Sequence, residues 1–241
     1  MSSSRVAAVF GASSGMGRAS ALALAAEDMD VAVLARRKAE LDAVAEEIRE
    51  CGRRAHVEPV DLTDGAAARR AVQAVVDSVG RIDVLVYAAG WNIPKRRLEE
   101  LSGNDWETMQ RVNLWGLYDV AQAALPALRE SRGRLVVISS AAAIMPDASG
   151  VAYQAAKSGE AGFTLGMMQE EAENGVRATV IYPGLTDTPL LEQRPTPTPP
   201  EIVAQALQPE DVARAVVFVS TLPERAYVPE LSLLPAAVQQ R

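Results

Sequence analysis

One junction near the start of the chain constrains the fold more than any other. Residues 5–10 (RVAAVF) form an apolar run that passes straight into GASSGMG at residues 11–17, and then into RASALALAAE, a segment of helical composition. Strand, glycine turn and helix in immediate succession predict a βα unit. Gly11, Gly15 and Gly17 let the backbone turn tightly and approach a phosphate at the helix N-terminus, where free N–H groups and the helix dipole favour an anion. The alternation then recurs. Strands are predicted at residues 30–35, 54–60, 83–87, 133–139, 176–182 and 226–234, separated by helical stretches at 38–51, 65–79, 105–129, 151–174 and 209–222. This pattern places the chain in the α/β class, with a parallel sheet covered on both faces and ligands at the carboxyl ends of the strands. Gly11, Arg36, Gly90, Ser140 and Gly184 all fall at such ends. Pro59 and Pro229 interrupt the third and last strands; lacking an N–H donor, they predict that these two strands are the sheet edges.

The end of the second strand bears on the cofactor. A binder of the unphosphorylated dinucleotide carries an acid about twenty residues after the glycine turn. Here stand Ala35, Arg36 and Arg37. Paired guanidiniums suit a ribose 2′-phosphate, so NADP(H) is expected, with NAD(H) as the alternative. Asp61, after the third strand, is placed to contact an adenine, and Asp64 is the better cap for the following helix. Ala88, Ala89 and Gly90 are small enough for close approach to a cofactor. Residues 91–103 read as an exposed loop with no assigned chemistry. Asn113, inside a long helical stretch, is expected to have a polar partner, because burying an amide unpaired is costly.

The chemistry concentrates in residues 139–157, SSAAAIMPDASGVAYQAAK. Tyr153 and Lys157 are four apart on a predicted helix and therefore share a face. A neighbouring cation favours the phenolate and lowers the tyrosine pKa. Ser140 supplies a hydroxyl able to hold a substrate oxygen, which completes a proton-transfer set. Only three of the 24 basic residues are lysines, which makes Lys157 less incidental. The proline- and threonine-rich segment that begins LTDTPLLEQRPTPTPPE, at about 185–208, reads as a lid over the site.

Composition narrows the setting. A chain of 241 residues is the size of one domain, and a net charge of -7 argues against a nucleic-acid partner. The apolar runs are too short to span a membrane, and residues 1–5 lead directly into a strand, so neither membrane insertion nor export is expected. One cysteine, Cys51, and one histidine, His56, predict no disulfide and no metal cluster. The setting is expected to be cytosolic.

Taken together, GASSGMG at 11–17, Ala89-Gly90, Asn113, Ser140, Tyr153-x-x-x-Lys157 and Pro183-Gly184 with Thr188 resemble the short-chain dehydrogenases/reductases over nearly the whole length. The resemblance implies one doubly wound Rossmann domain over residues 1–241, with a seven-stranded sheet in the order 3-2-1-4-5-6-7. It implies Tyr153 as proton donor or acceptor, Ser140 polarising a carbonyl, Lys157 on the nicotinamide ribose, and Asn113 supporting a water relay to the lysine. It further implies cofactor contacts from Gly11, Ser13, Ser14, Gly15, Met16, Gly17, Arg36, Arg37, Asp61, Leu62, Ala89, Gly90, Pro183, Gly184, Thr186 and Thr188, and assembly as a homotetramer or homodimer. The implied activity is interconversion of a small ketone or aldehyde with its alcohol. A non-catalytic dinucleotide sensor or scaffold, and an epimerase or dehydratase, are the alternatives. Apolar residues flanking the site (Trp91, Ile144, Met145, Tyr182, Leu190, Leu191) suggest a neutral or apolar substrate. Two departures from the family pattern share one region: Phe10 stands where threonine is usual, and Tyr87-Ala88 where Asn-Asn is usual. The terminus LSLLPAAVQQR also lacks the usual Asp-Gly-Gly.

Overall fold

The computed structural model describes residues 4–237. The start of the lead-in at residues 1–3 and the end of the C-terminal segment at 238–241 lie outside the described residues. A seven-stranded, all-parallel sheet runs through the molecule in the order β3-β2-β1-β4-β5-β6-β7. Its strands are β1 (Val6–Phe10), β2 (Asp30–Ala35), β3 (Ala55–Pro59), β4 (Val84–Tyr87), β5 (Arg134–Ile138), β6 (Arg177–Pro183) and β7 (Glu230–Leu233). The helices are α1 (Gly15–Ala26), α2 (Lys38–Glu50), α3 (Gly65–Val79), α4 (Gly103–Gln110), α5 (Gly116–Ser131), α6 (Val151–Glu171), α7 (Pro200–Val203) and α8 (Pro209–Thr221).

Strands β1, β4 and β5 are buried along their full length, as a parallel sheet covered on both faces requires. Alternate residues feed two cores. Ala8 and Phe10 pack with α3 and α5, whereas Ala7 and Val9 pack with α1, α2 and α8. The outer strands are more exposed and are the two edges as expected, but neither proline interrupts its strand: Pro59 ends β3, and the last strand begins only after Pro229, at Glu230. Asp64 caps α3, its Oδ1 accepting from the N–H groups of Ala66 and Ala67. No helix among the described residues is long and apolar enough to cross a membrane.

Two expectations are corrected here. The long helix is not uniform: a π-helical turn at Arg111–Trp115 separates α4 from α5. The tyrosine at the end of β4 braces this turn, its phenol donating to the Val112 carbonyl at 2.5 Å. Residues 91–103 are not an exposed loop throughout. Asn92, Ile93 and Arg96 are buried, because Asn92 donates to the Ser149 carbonyl and Arg96 reaches the Gln193 carbonyl, tying the segment to two others.

The two departures at the sheet centre meet as anticipated. Phe10 and Tyr87 are register partners on β1 and β4, and their rings stack with centroids 6.5 Å apart. An aromatic pair therefore fills the point where the strand order reverses, which is where α/β sheets open a ligand crevice.

Candidate active site

The crevice lies at the carboxyl ends of the strands. It holds about 1420 Å³ of empty space, bounded by the glycine turn, the β2 end at Arg36 and Arg37, Asp61 and Leu62 after β3, Ala89 and Gly90 after β4, and the Tyr153–Lys157 face of α6. Gly11 makes the turn possible. Its φ is +85°, and a Cβ there would fall 2.6 Å from the Ala89 nitrogen, so the turn and the β4 end can lie back to back only with glycine. Ser14 precedes the first turn of α1 in an extended conformation without a side-chain cap. Arg37 donates to the hydroxyls of Ser13 and Ser14 at 3.0 and 2.9 Å and pairs with Glu40. Arg36 has no ion-pair partner among the described residues and borders the crevice. Asp61 accepts from the N–H and hydroxyl of Thr63 through Oδ1 while lining the same space.

A second cleft of about 660 Å³ adjoins the first. Pro183 at the end of β6 lines it with Gly184 and Thr186, and Met16, Thr188 and Tyr153 border both spaces. Thr188 also abuts the glycine turn, since a Cβ at Gly15 would lie 3.2 Å from its Cγ2. Of the apolar residues that pointed to a neutral substrate, only Leu190 and Leu191 line this cleft. Trp91 borders the larger crevice, and Tyr182 is core, its phenol donating to Glu230. The remaining polar lining includes Asn92, Arg96, Asp147 and Arg194.

Tyr153 is 8% exposed. Burial holds its pKa above the ordinary phenol value; the Lys157 charge and the Ser140 hydroxyl pull the other way, and Glu160 and Asp147 add to the rise. The expected net lowering is therefore corrected. Lysine does favour the phenolate, but desolvation of a buried phenol outweighs it. The Lys157 ammonium lies 5.7 Å from the centre of the Tyr153 ring. Around Gly90 the site converges: a Cβ there would lie 3.5 Å from Asn113 Oδ1 and 3.6 Å from Lys157 Nζ. Asn113 is fully buried and spends its amide on backbone, accepting from the Trp91 N–H at 3.0 Å and donating to the Trp91 and Met109 carbonyls. It clamps the strand-end loop from the π-helical turn.

Sequence reasoning missed two residues of the site, Arg96 in the cleft lining and Glu160 behind Lys157. Glu160 is fully buried, and both carboxylate oxygens accept from Lys157 Nζ, at 2.9 and 3.1 Å. Burial pushes its carboxyl up to about 7, against the pull of Lys157 and Ser139. The signal was available, since positions 153, 157 and 160 follow the i, i+4, i+7 spacing of one helix face.

A family model described as short chain dehydrogenase matches residues 5–198. The chain belongs to the short-chain dehydrogenases. An uncharacterized oxidoreductase of Staphylococcus epidermidis is 31% identical over 232 residues, covering 96% of this chain and 97% of the relative. Among solved structures, the alcohol dehydrogenase of the archaeon Thermococcus sibiricus, complexed with 5-hydroxy-NADP, superposes with a TM-score of 0.87 at 29% identity, covering 98% of each chain. A metagenomic short-chain oxidoreductase in complex with NADP superposes with a TM-score of 0.84 at 30% identity, covering 96% of this chain and 97% of the other. This short-chain dehydrogenase is thus an oxidoreductase with the family's sheet order.

Proposed function

We propose that the protein interconverts a ketone or aldehyde and the corresponding alcohol, using NADP(H). One observation carries the reading: Tyr153 stands at the wall shared by the two clefts, with Ser140 and Lys157 beside it. A proton donor at that wall can reach the oxygen of a substrate in one space whose carbon would exchange a hydride with a cofactor in the other. The donor set fits a dinucleotide, because the Gly11 turn against Ala89 leaves room for backbone to meet a pyrophosphate at the start of α1. Gly11, Ser13, Ser14, Gly15, Met16 and Gly17 would hold the phosphates, with Asp61, Leu62, Ala89 and Gly90 along the adenosine half. Pro183, Gly184, Thr186 and Thr188 would border the nicotinamide end. When bound, the nicotinamide supplies or accepts the hydride.

The chain's own residues manage the proton and the substrate oxygen. Tyr153 gives its phenolic proton to the oxygen during reduction and takes it back during oxidation. Ser140 donates to the same oxygen, while Lys157 favours the phenolate and presents its ammonium toward the ribose. Arg36, at the crevice rim with no ion-pair partner among the described residues, and Arg37 above the turn would meet the 2′-phosphate. The bound ligands of the Thermococcus sibiricus and metagenomic structures support that choice. Residues 185–208 would serve as the lid. The exposed Trp115 and Tyr118 on the α4–α5 side support homodimer or homotetramer contacts there.

The test is Tyr153→Phe. Turnover of carbonyl substrates should fall by about 10²–10⁴-fold, with the NADPH dissociation constant held within a factor of about two of wild type. Retained turnover would reject Tyr153 as the proton donor.

A further inference from the structure

The substrate cleft contains a guanidinium with no ion-pair partner among the described residues. Arg96 is 8% exposed and is wedged in place by Gly150. With φ at +92°, a Cβ on Gly150 would fall 2.6 Å from the Arg96 carbonyl oxygen and 2.8 Å from the Arg96 Cβ. Arg96 Nε donates to the Ile93 carbonyl at 2.8 Å and Nη2 to the Gln193 carbonyl. Those two bonds use one edge of the fork. A guanidinium has five N–H donors, so both on Nη1 and one on Nη2 remain, the edge that meets a carboxylate through two parallel hydrogen bonds.

Arg96 has no ion-pair partner among the described residues, and none of its nitrogens is among the buried atoms left without a partner. Nη1, which makes no hydrogen bond among the described residues, is thus not sealed from solvent, and Arg96 lines both the cleft beside Tyr153 and a neighbouring space bordered by Arg97 and Gln154. The charges around it do not complete the pair. Arg194, exposed at the rim, adds to the effect of burial in holding the Arg96 pKa below the ordinary arginine value. Asp147 and the Tyr153 phenol act in the opposite sense. Asp147 is solvent-exposed, and its Oδ1 accepts from the Ser149 N–H at 2.8 Å. A buried cation without a counter-charge is costly, and no described residue supplies the anion that would relieve it.

We propose that Arg96 anchors a carboxylate on the substrate, so that the carbonyl compound reduced beside Tyr153 is an oxo acid and its product a hydroxy acid. The inference rests on the carbonyl–alcohol reading above. A carboxylate is the preferred anion because the open edge is planar and two-pronged, and Leu190 and Leu191 leave room for a short apolar stem beside it.

The experiment uses the full chain with NADP⁺ and three acid–ester pairs: 2-oxopentanoate, 4-oxopentanoate and 5-oxohexanoate, each with its methyl ester. Calorimetric titration should show at least one acid binding ~10-fold or more tightly than its ester, as a charge-assisted bond supplies. With NADPH, the KM values should divide the same way. Arg96→Gln should weaken the acid ~10-fold more than the ester, and Arg96→Lys should recover part of the difference. Equal weakening of acid and ester marks Arg96 as purely structural and overturns the proposal. So does equal affinity of acids and esters in the wild type, or binding of none of the acids. Turnover of esters without acid preference removes the anchor and leaves carbonyl reduction standing. Acid-selective binding without turnover of any compound keeps the anchor and removes the reductase reading.

Discussion

Replacing Glu160 with glutamine isolates a charge that the fold buries against its proposed catalytic lysine. In the native protein the Glu160 carboxyl is pushed up to about 7, from 4.5 for an exposed glutamate. Between those values the folded state holds a proton that the unfolded state has released, so stability falls as pH rises through the window. At ~1.36 kcal/mol per unit the full effect is about 3 kcal/mol, most of it between pH 5 and 8. Lys157 adds no slope there. Its pKa is raised above 10.5, with burial opposing and Glu160 and Tyr153 favouring the ammonium, so its contribution is lost only at alkaline pH. Asp64 and Glu171 have lowered pKa values and act only as pH falls below the ordinary carboxylate range. Urea unfolding of wild type and Glu160→Gln at pH 5, 6, 7 and 8 should therefore give stabilities within about 1 kcal/mol of each other at pH 5, with the variant gaining a further ~2–3 kcal/mol by pH 8. The opposite result is equally well defined. If Lys157 keeps the carboxylate ionised throughout, the difference is flat with pH and the variant is weaker by about 3–5 kcal/mol, the cost of a buried charge stripped of its partner. That outcome would refute the reasoning. Because ionised Glu160 raises the Tyr153 pKa, the same variant should shift the acid limb of alcohol oxidation to lower pH.

Arg36→Ala should raise the NADPH dissociation constant by about 10-fold or more, the contribution of a charge-assisted phosphate contact, while the NADH constant moves by less than a factor of about two; fluorescence titration with both cofactors distinguishes this from equal losses, which would remove the 2′-phosphate argument. Gly11→Ala should cost about 2–5 kcal/mol in urea unfolding, combining roughly 1–2 kcal/mol for a positive φ with about 1–3 kcal/mol for a Cβ driven into the Ala89 backbone. Dinucleotide binding should weaken with it, and wild-type stability in this variant would contradict the back-to-back turn.

Much of the fold was legible because its determinants are local. The buried apolar strands, the glycines between strand and helix, and the Asp64 cap each rest on neighbours within a few residues. The edge prolines extended that reach, since a missing N–H excludes a strand from the sheet interior wherever it sits in the chain. What escaped was set by distant contacts. Nothing in residues 103–131 announces a π-helical turn; it is braced by the Tyr87 phenol, more than twenty residues earlier. Arg96 looks like one member of a solvated basic run, and becomes buried only because Gly150 and Gln193 close over it. Glu160 is a different case, for its spacing from Lys157 was visible. Periodicity placed it on the right face but could not tell that the face was sealed.

The two missed residues alter the electrostatics of the site together. Lys157 alone would make the surroundings of Tyr153 cationic, favouring the phenolate. Glu160 cancels part of that charge from within α6, and its raised pKa makes the cancellation increase as pH rises through about 7. Arg96 supplies positive charge from the substrate side, from a loop and not from α6, and keeps it at every pH of interest because a guanidinium does not deprotonate there. An entering carboxylate would neutralise Arg96 while Glu160 offsets Lys157, leaving the phenol between two matched pairs. Under the proposed mechanism Tyr153 would then hold its proton, the protonation state from which it donates to a carbonyl oxygen.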